Sequence, residues 1–357
     1  MTPTIAYLAC RNVLMGGEYY RATRAAALLN RNYGWGTAVC DRMATAEEDG
    51  PLSFVTPNGG MVVTPDIIIL RPIAEWRQHW SDQAHANGQL LVADLDDDVW
   101  AHPVWDAPER PREDFYHEWF PHVDAVLTST RYLASRIKAQ GHDAPVYVAP
   151  NLYDPWGLDA NPEPGHVIGT RLWLSGRMEP DLVMYDEMVR PLLDELDLTF
   201  LHLGASDGHR FTDRGWDPSR LIERESVPIP MFPEALKELS IGIICMGEHP
   251  YNLAKTETHA VELASMGVPL VGASNHELYK NIPGRVESTP RAVRERVKNL
   301  LNPIYWRSES ENARAWARRL AIKNESQHMS AVTRMVEGLR RDSVVRTMAR
   351  IKWELYT

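Results

Sequence analysis

Apolar residues in the first half of the chain form short runs of strand length that alternate with stretches of helical period. The strand-length runs cover 4–9, 66–71, 90–94, 124–129 and 146–149. Between them, apolar positions recur at helical spacing up to residue 30, over 75–86 and over 132–140. Strands that alternate with helices predict a parallel sheet covered by helices.

The same alternation begins again after a segment rich in turn-forming residues. Residues 154–166 contain three prolines and two glycines, which indicates a linker between domains. Further strand-length runs follow at 167–174, 198–203, 241–246 and 268–273. We therefore predict an α/β protein with two Rossmann-like domains that face a cleft, 1–155 and 156–325.

Composition agrees with two ordinary globular domains. The chain has 357 residues, of which 44% are hydrophobic and 24% charged. No apolar run approaches the roughly 20 residues of a membrane helix, and the N-terminus lacks the pattern of a signal peptide, so no stable membrane insertion is expected. Cys10, Cys40 and Cys245 are far apart, which favours neither disulfides nor zinc and predicts a reducing, cytoplasmic location.

Charge is distributed unevenly along the chain. The net charge is −10, yet residues 285–357 carry 16 Lys and Arg against 8 Asp and Glu. The acidic remainder argues against a strongly basic nucleic-acid-binding protein. The basic end suits a membrane surface or an anionic acceptor, but a solvated helical face is the interpretation we favour. The histidines show no ligand-spaced pair, so no metal site is predicted from them.

One stretch of the second half combines a favourable backbone with reactive side chains. A polar loop runs into a helix predicted for 256–266, which ends at Gly267 before a buried strand. The start of a helix exposes unpaired N–H groups and a positive dipole end, which favour a bound anion. Lys255 and Thr256 lie at that end and add a charge and a hydroxyl. Glu262, further along the helix, can accept hydrogen bonds from a ribose diol.

This arrangement resembles the nucleotide-sugar loop of family 4-type retaining glycosyltransferases of the GT-B fold. That loop contains Glu, seven other residues, Glu, a short helix, Gly-x-Pro and a strand ending in Ser. The matching residues here are Glu262, Gly267, Pro269 and Ser274, whereas Ala254 stands in place of the first glutamate. A bacterial and phage branch of the family carries Asn-x-x-Lys-Ser/Thr before the glutamate, and Asn252, Lys255 and Thr256 follow that pattern.

The resemblance spans nearly the whole chain and implies both fold and activity. It implies the GT-B fold, with a C-terminal helix at 326–357 that packs back on the first domain. It implies transfer of a hexose from a UDP- or GDP-linked donor, such as UDP-glucose, to an acceptor hydroxyl with retention. The acceptor would be a glycan, a lipid-linked molecule, a protein or a modified DNA base. No metal or other cofactor is expected, and a phage-encoded enzyme would act in the host cytoplasm.

The resemblance also assigns roles to residues of the donor side. Asn252 and Thr256 would hold phosphate or sugar oxygens, and Glu262 would bind the ribose hydroxyls. The nucleotide base would lie against the backbone near Val227.

Two cations are expected where strands of the second domain end at the cleft. Arg177 follows the strand predicted for 167–174 and resembles the arginine of the Gly-Arg segment that contacts the diphosphate. With Lys255 it would stabilise the departing diphosphate. Gly16 and Gly17 resemble the glycine pair that lets the backbone approach the β-phosphate and the acceptor, although such pairs also occur for conformational reasons alone.

An acidic run, 94–98, follows a predicted strand of the first half and has three functional interpretations. Its carboxylates could coordinate a divalent cation, bind hydroxyls of the donor sugar or help to activate an acceptor hydroxyl. We favour the sugar or acceptor role, carried by Asp97 or Asp98 with His102 nearby. The structural alternative is a carboxylate-rich N-terminal cap of a helix.

Other functions fit the same residues. A sugar-nucleotide 2-epimerase shares the fold but needs acid and base groups on both sides of the sugar. A non-catalytic nucleotide-sugar binding protein would explain the missing glutamate at Ala254.

Overall fold

The computed structural model describes residues 2–9, 14, 16–44, 49–71, 78–101, 120–171, 179–205, 210–274 and 277–356, without the side chains of 99, 120, 277, 278 and 343–356. The described residues of the first half form nine strands: β1 Thr4–Leu8, β2 Gly36–Cys40, β3 Arg42–Met43, β4 Phe54–Val55, β5 Val62–Val63, β6 Ile67–Leu70, β7 Leu90–Leu95, β8 Ala125–Thr128 and β9 Val146–Val148. Six of them make a parallel sheet in the order β2-β1-β6-β7-β8-β9, and β3, β4 and β5 make a small antiparallel sheet.

Another parallel sheet, with six strands among the residues that the structure describes, is formed by the second half. Its strands are β10 Val167–Arg171, β11 Thr199–Ala205, β12 Leu221–Glu225, β13 Ile241–Met246, β14 Leu270–Ser274 and β15 Arg285–Val286. Their order is β12-β11-β10-β13-β14-β15, with the direction of strand addition reversing between β10 and β13. In a sheet of this kind ligands bind outside the carboxyl ends of the strands at the point of reversal.

Helices connect the strands in both halves. Those of the first half are α1 Gly16–Glu18, a π-helical turn Tyr19–Thr23, α2 Arg24–Tyr33, α3 Gln78–Ala86 and α4 Arg131–Ala139. Those that follow are α5 Glu179–Met188, α6 Arg190–Glu195, α7 Phe232–Ala235, α8 Pro250–Leu253, α9 Thr258–Ser265, α10 Pro290–Leu300 and α11 Pro303–Tyr356. None of the helices in the described part of the chain is long and apolar enough to cross a membrane.

The long helix α11 joins the two domains. Ala313, Ala317 and Ala321 pack in the core of the second domain. Further along, Met329, Met335 and Leu339, among others, pack with α2 against one face of the first sheet. The predicted fold class, two parallel α/β sheets with a final helix that returns to the first domain, is therefore confirmed.

The segment predicted to start the donor site folds with one difference from expectation. Gly267 adopts φ +85° after α9, as predicted for a glycine that ends a helix. The stretch 249–252, predicted as a loop, instead contains the helical turn α8. His249 caps α8 by accepting a hydrogen bond from the Tyr251 N–H, and Pro250 fits the first helical position because it lacks an N–H.

Candidate functional site

Residues that follow the ends of strands in one domain contact residues of the other domain. Strand β7 is followed by Asp96 and Asp97, and β13 is followed by α8 and Lys255. Because both groups extend from carboxyl ends of parallel strands, they lie where doubly wound sheets bind ligands. We therefore take this interface as the candidate site.

Lys255, Asp97 and Tyr251 form a triangle across the interface. The Lys255 ammonium donates hydrogen bonds to Asp97 Oδ1 at 2.6 Å and to the Tyr251 hydroxyl at 3.0 Å. The Tyr251 hydroxyl donates to Asp97 Oδ2 at 3.1 Å, and the ammonium lies 4.3 Å from the centre of the Tyr251 ring. The side chains of Lys255 and Asp97 are 29% and 37% exposed, so a ligand from solvent can reach this pair.

The triangle keeps both charges in place. Burial alone would raise the pKa of Asp97, but the Lys255 ammonium and the hydrogen bonds from Lys255 and Tyr251 outweigh it and hold the pKa below its usual range. Burial would lower the pKa of Lys255, yet the Asp97 carboxylate raises it above its usual value. Lys255 is therefore a permanent cation at neutral pH and not a general base.

Glu262 lies on α9 in the interface between the two domains. Its Oε1 accepts a hydrogen bond of 2.8 Å from the Tyr20 hydroxyl, and Arg171 Nε lies 3.6 Å from its Oε2. The Arg171 guanidinium lies 3.1 Å from His259 Nε2 and 5.1 Å from the centre of the Phe232 ring. A carboxylate in the middle of α9 and a cation of β10 thus lie side by side.

Arg171 is a candidate residue that the sequence reasoning missed. Arg171 is the last described residue of strand β10, on the cleft side of the second sheet. The rest of the predicted strand, 172–174, lies outside the described residues. Arg177 itself lies outside the described residues, and so does His102.

Asn252 uses its side chain inside the second domain. Its Nδ2 donates to Asp181 Oδ1 at 2.9 Å and to the Gly247 carbonyl at 2.9 Å. The Gly247 N–H also donates to Asp181 Oδ1, at 2.6 Å. Both amide protons therefore hold the loop after β13 against α5, and a contact from them to phosphate would require one of these bonds to break.

Thr256 belongs to a hydrogen-bond network between the domains. Asn151 Nδ2 donates to the hydroxyls of Thr256 and Thr258 at 3.1 and 3.2 Å, and these hydroxyls lie 2.7 Å apart. Asn151 Oδ1 accepts a hydrogen bond of 3.0 Å from Arg21 Nη1. The start of α9 is in this way tied to the interior of the first domain.

Behind the cleft, the first domain contains a buried network of charges. Arg21 Nε donates to both carboxylate oxygens of Asp94 at 2.9 Å. Arg71 lies at the centre of three carboxylates, with nitrogen–oxygen distances of 3.5 Å to Glu18, 3.6 Å to Asp94 and 3.1 Å to Asp96. Because these charges pair with each other at short range, their first role is to hold α1, β6 and β7 together.

The glycine pair has structural reasons for its composition. Gly16 adopts φ +44°, a conformation that other residues rarely adopt. A Cβ on Gly17 would lie 2.6 Å from both Arg71 Nη2 and Asp96 Oδ2. The conformational alternative accounts for both glycines, and their approach to a β-phosphate stays a prediction.

Asp98 is placed apart from Asp97. It is fully buried, and its Oδ2 accepts a hydrogen bond of 3.0 Å from Arg136 Nε. Its Oδ1 accepts one of 3.2 Å from the Trp100 N–H, at the start of a short 3-10 turn. This is the capping arrangement weighed as the structural alternative, and it leaves Asp97 as the candidate for substrate contact.

The position of the missing glutamate lies in a contact between the domains. Ala254 is fully buried in an apolar cluster that otherwise consists of first-domain residues. A glutamate there would bury a carboxylate among apolar side chains. Burial of an unpaired neutral polar group already costs roughly 2–7 kcal/mol, and burial of a charge costs more.

Val227, expected near the nucleotide base, is partly buried against the core of the second domain. Close to it, the Ile229 N–H donates a hydrogen bond of 3.0 Å to the Leu14 carbonyl of the first domain.

The four carboxylates of the acidic run do not all gather around one point, although Asp94 and Asp96 share Arg71. Asp96 lies beside Arg71, Asp97 beside Lys255 and Asp98 beside Arg136. Within the ranges that the structure describes, no three His, Cys, Asp or Glu side chains come together in a way that would hold a metal ion. Catalysis without a metal stays a prediction.

Comparison with known proteins identifies the fold. No family model matches the chain, and no curated protein matches it in sequence. Among solved structures, sucrose-phosphate synthase from Thermosynechococcus elongatus is similar with a TM-score of 0.64 and 12% identity, covering 94% of this chain and 99% of that one. The α,α-trehalose 6-phosphate synthase from Burkholderia multivorans is similar with a TM-score of 0.59 and 9% identity, covering 98% and 99%.

A third similar structure is larger than this chain. A variant of TarM from S. aureus, solved in complex with fondaparinux, alpha-GlcNAc-glycerol and UDP, has a TM-score of 0.55 and 9% identity over 81% of this chain. The chain spans 62% of the length of that TarM variant and 63% of another TarM structure. Together with the two sheets, these likenesses decide the architecture. The chain has the GT-B fold.

Proposed function

We propose that the chain is a glycosyltransferase that moves a hexosyl group from a UDP- or GDP-linked donor to an acceptor hydroxyl, with retention. The observation that carries the proposal is the position of Lys255. It lies just before α9, after the carboxyl end of β13, and reaches Asp97 of the opposite domain across the cleft of a GT-B fold. A partly exposed cation at a helix start suits a diphosphate.

The donor would lie on the second domain. Lys255 and Arg171 supply positive charge at the ends of β13 and β10, where negative charge grows as the diphosphate leaves. Fixed charges of this kind stabilise the transition state because they need no reorganisation during the reaction. In this scheme Glu262 receives the ribose hydroxyls, the base lies near Val227, and Thr256 contacts a phosphate oxygen.

The acceptor would approach from the first domain. Asp97 is a partly exposed carboxylate of the acidic run and can accept a hydrogen bond from an acceptor or sugar hydroxyl. In the transfer, the bond between the anomeric carbon and the diphosphate oxygen breaks while a bond from that carbon to the acceptor oxygen forms on the same face. The acceptor proton passes to the departing phosphate oxygen, so no separate base is required.

The remaining parts of the proposal concern partners and location. The acceptor is a glycan, a lipid-linked molecule, a protein or a modified base of DNA. We propose a cytoplasmic protein without stable membrane insertion, a location supported by Cys40 and Cys245, which are buried and free.

A donor-consumption assay tests the proposed activity. The wild-type protein is incubated with UDP- and GDP-hexoses, with and without a mixture of acceptors, and release of nucleoside diphosphate is measured. We expect release that depends on an acceptor and needs no added metal. Lys255→Met should lower the rate about 100-fold because it removes a charge that stabilises the leaving group.

Lys237→Met is the matched control, since Lys237 is an exposed lysine of the second domain that pairs with Glu234 at the surface. It should leave the rate unchanged. Conversion of the donor without any acceptor would instead indicate an epimerase. Saturable binding of a nucleotide sugar with no conversion would indicate a binding protein.

A further inference from the structure

The carboxylate expected to bind the donor ribose is already occupied by a residue of the other domain. The Tyr20 hydroxyl donates a hydrogen bond of 2.8 Å to Glu262 Oε1. Both residues are only 1% exposed. A ligand atom cannot reach Glu262 without displacing part of its surroundings, because no appreciable surface of the residue is open to solvent.

On the first-domain side, the Tyr20 hydroxyl covers Oε1 of Glu262. Arg171, beside Oε2, belongs to the second domain and forms part of the proposed donor site. The Tyr20 ring packs edge-on against Tyr19 and Tyr153, with ring centres 5.4 and 5.5 Å away. Tyr20 is therefore a packed first-domain side chain that occupies one oxygen of Glu262.

The backbone that holds Tyr20 is of an unusual kind. Tyr20 lies in the π-helical turn Tyr19–Thr23, between the short helix α1 and the regular helix α2. π-helical turns are rare and are frequently found at functional sites. A change of this turn to α-helical spacing would rotate Tyr20 relative to α2.

We propose that Tyr20 is a gate residue of the nucleotide site, whose hydroxyl takes the place of a ribose hydroxyl on Glu262 and must withdraw when a nucleoside diphosphate binds. The proposal rests on the proposed function. In this proposal the Tyr20 hydroxyl and the ribose hydroxyls compete for hydrogen bonds to the Glu262 carboxylate. This competition lowers the affinity for a nucleoside diphosphate. Removal of the Tyr20 hydroxyl should therefore strengthen nucleotide binding, whereas loss of a merely structural contact would not.

Calorimetric titration with three probes tests the gate. UDP, GDP and inorganic pyrophosphate are titrated into the wild type, Tyr20→Phe and Tyr153→Phe. We expect Tyr20→Phe to bind UDP or GDP about tenfold more tightly, because a hydrogen bond to a charged group no longer competes. Pyrophosphate has no ribose, so its affinity should be the same in the wild type and in Tyr20→Phe.

Tyr153→Phe is the matched control. Tyr153 is a buried tyrosine beside Tyr20, and its hydroxyl lies 3.3 Å from the Thr258 hydroxyl and not against Glu262. It should not show the gain in affinity. An equal gain in both variants would overturn the proposal, because it would indicate general loosening of the interface.

The outcomes separate the gate from the proposed function. If the wild type binds a nucleotide and Tyr20→Phe binds it equally or more weakly, the gate is wrong and the function stands. If only Tyr20→Phe binds, both are supported, since the gate is closed in the wild type. If neither protein binds any nucleotide, both are overturned.

Hydrogen exchange on the wild type gives a second measurement that does not depend on how Tyr20→Phe folds. Saturating UDP should lower protection in 16–24, where Tyr20 withdraws, and raise it in 255–262. Unchanged or increased protection in 16–24 together with increased protection in 255–262 would overturn the gate.

Discussion

One charged cluster lies in the cleft between the domains and another lies behind it in the first domain, and the two differ in their access to solvent. The side chains of Arg21 and Asp94, in the first domain, are 0% and 2% exposed. The pair of Asp97 and Lys255, which joins the domains, is partly open to solvent. Each cluster contains a carboxylate beside a cation. Only in the partly exposed pair can a ligand from solvent replace one of the two partners.

The difference follows from the cost of removing charges from water. A buried pair is expensive to form and more expensive to break, because the remaining charge has no other partner. A partly exposed pair contributes little to stability, because water and salt screen it and can replace either partner. We therefore assign the buried cluster to architecture and the exposed pair to binding.

The largest expected effect comes from breaking the buried cluster. Arg21→Met leaves Asp94 as a buried charge without its main partner and should lower the free energy of unfolding by roughly 3–5 kcal/mol. Arg21 also donates to Asn151 and to the Ala149 carbonyl, so several contacts are lost together. Denaturant unfolding measures the change.

A double variant serves as the control for this prediction. Arg21→Met with Asp94→Leu removes both charges, so it should recover much of the stability that the single variant loses. A single variant as stable as the wild type would show that the cluster is not structural.

A smaller effect on stability is expected from His328, a buried residue of α11 near Arg21 and Asp94. Burial, followed by the nearby Arg21 guanidinium, lowers the pKa of His328 to about 4, while its Nδ1–H donates to the Pro150 carbonyl at 2.7 Å. Between about pH 6.5 and 4, His328 binds a proton in the unfolded chain but not in the folded protein. Stability should therefore fall by about 3 kcal/mol as the pH decreases through this window.

His328→Gln removes this titration. The variant should be less dependent on pH between 6.5 and 4 than the wild type, as measured by denaturant unfolding at several pH values. Equal slopes in the two proteins would show that His328 is protonated in the folded state.

The smallest effect on stability should come from the exposed pair. Asp97→Asn should change the free energy of unfolding by less than about 1 kcal/mol, because the pair is partly solvated. It should also increase UDP affinity a few-fold, since Lys255 no longer has a carboxylate that competes with the diphosphate. A decrease of several kcal/mol in the free energy of unfolding would show that Asp97 stabilises the fold as the buried cluster does, and it would contradict the comparison.

The sequence predicted the architecture because strand and helix patterning depends on local residues. The strands that precede Asp96 and Lys255 were predicted from apolar runs, and Gly267 was correctly predicted to end a helix. The turn α8 was missed, although Pro250 after the capping residue His249 is a signal for a helix start.

Pairings between distant residues could not be predicted from the sequence. Tyr20 and Glu262 are 242 positions apart, and Asp97 and Lys255 are 158 apart. Neighbouring residues also proved unequal: Asp97 faces the cleft while Asp98 is buried against Arg136, because the chain turns between them. The presence of alanine at position 254 is explained by its burial against the first domain, a contact between distant parts of the chain.

The most direct test of the central claim, that Lys255 binds the diphosphate of a nucleotide at this cleft, is calorimetric titration of UDP and GDP into the wild type, Lys255→Met and Lys237→Met. We predict one saturable site in the wild type for at least one nucleotide and the same affinity in Lys237→Met. Affinity in Lys255→Met should fall by about tenfold or more, since a charge-assisted contact is lost. Equal affinities in Lys255→Met and the wild type would contradict the account.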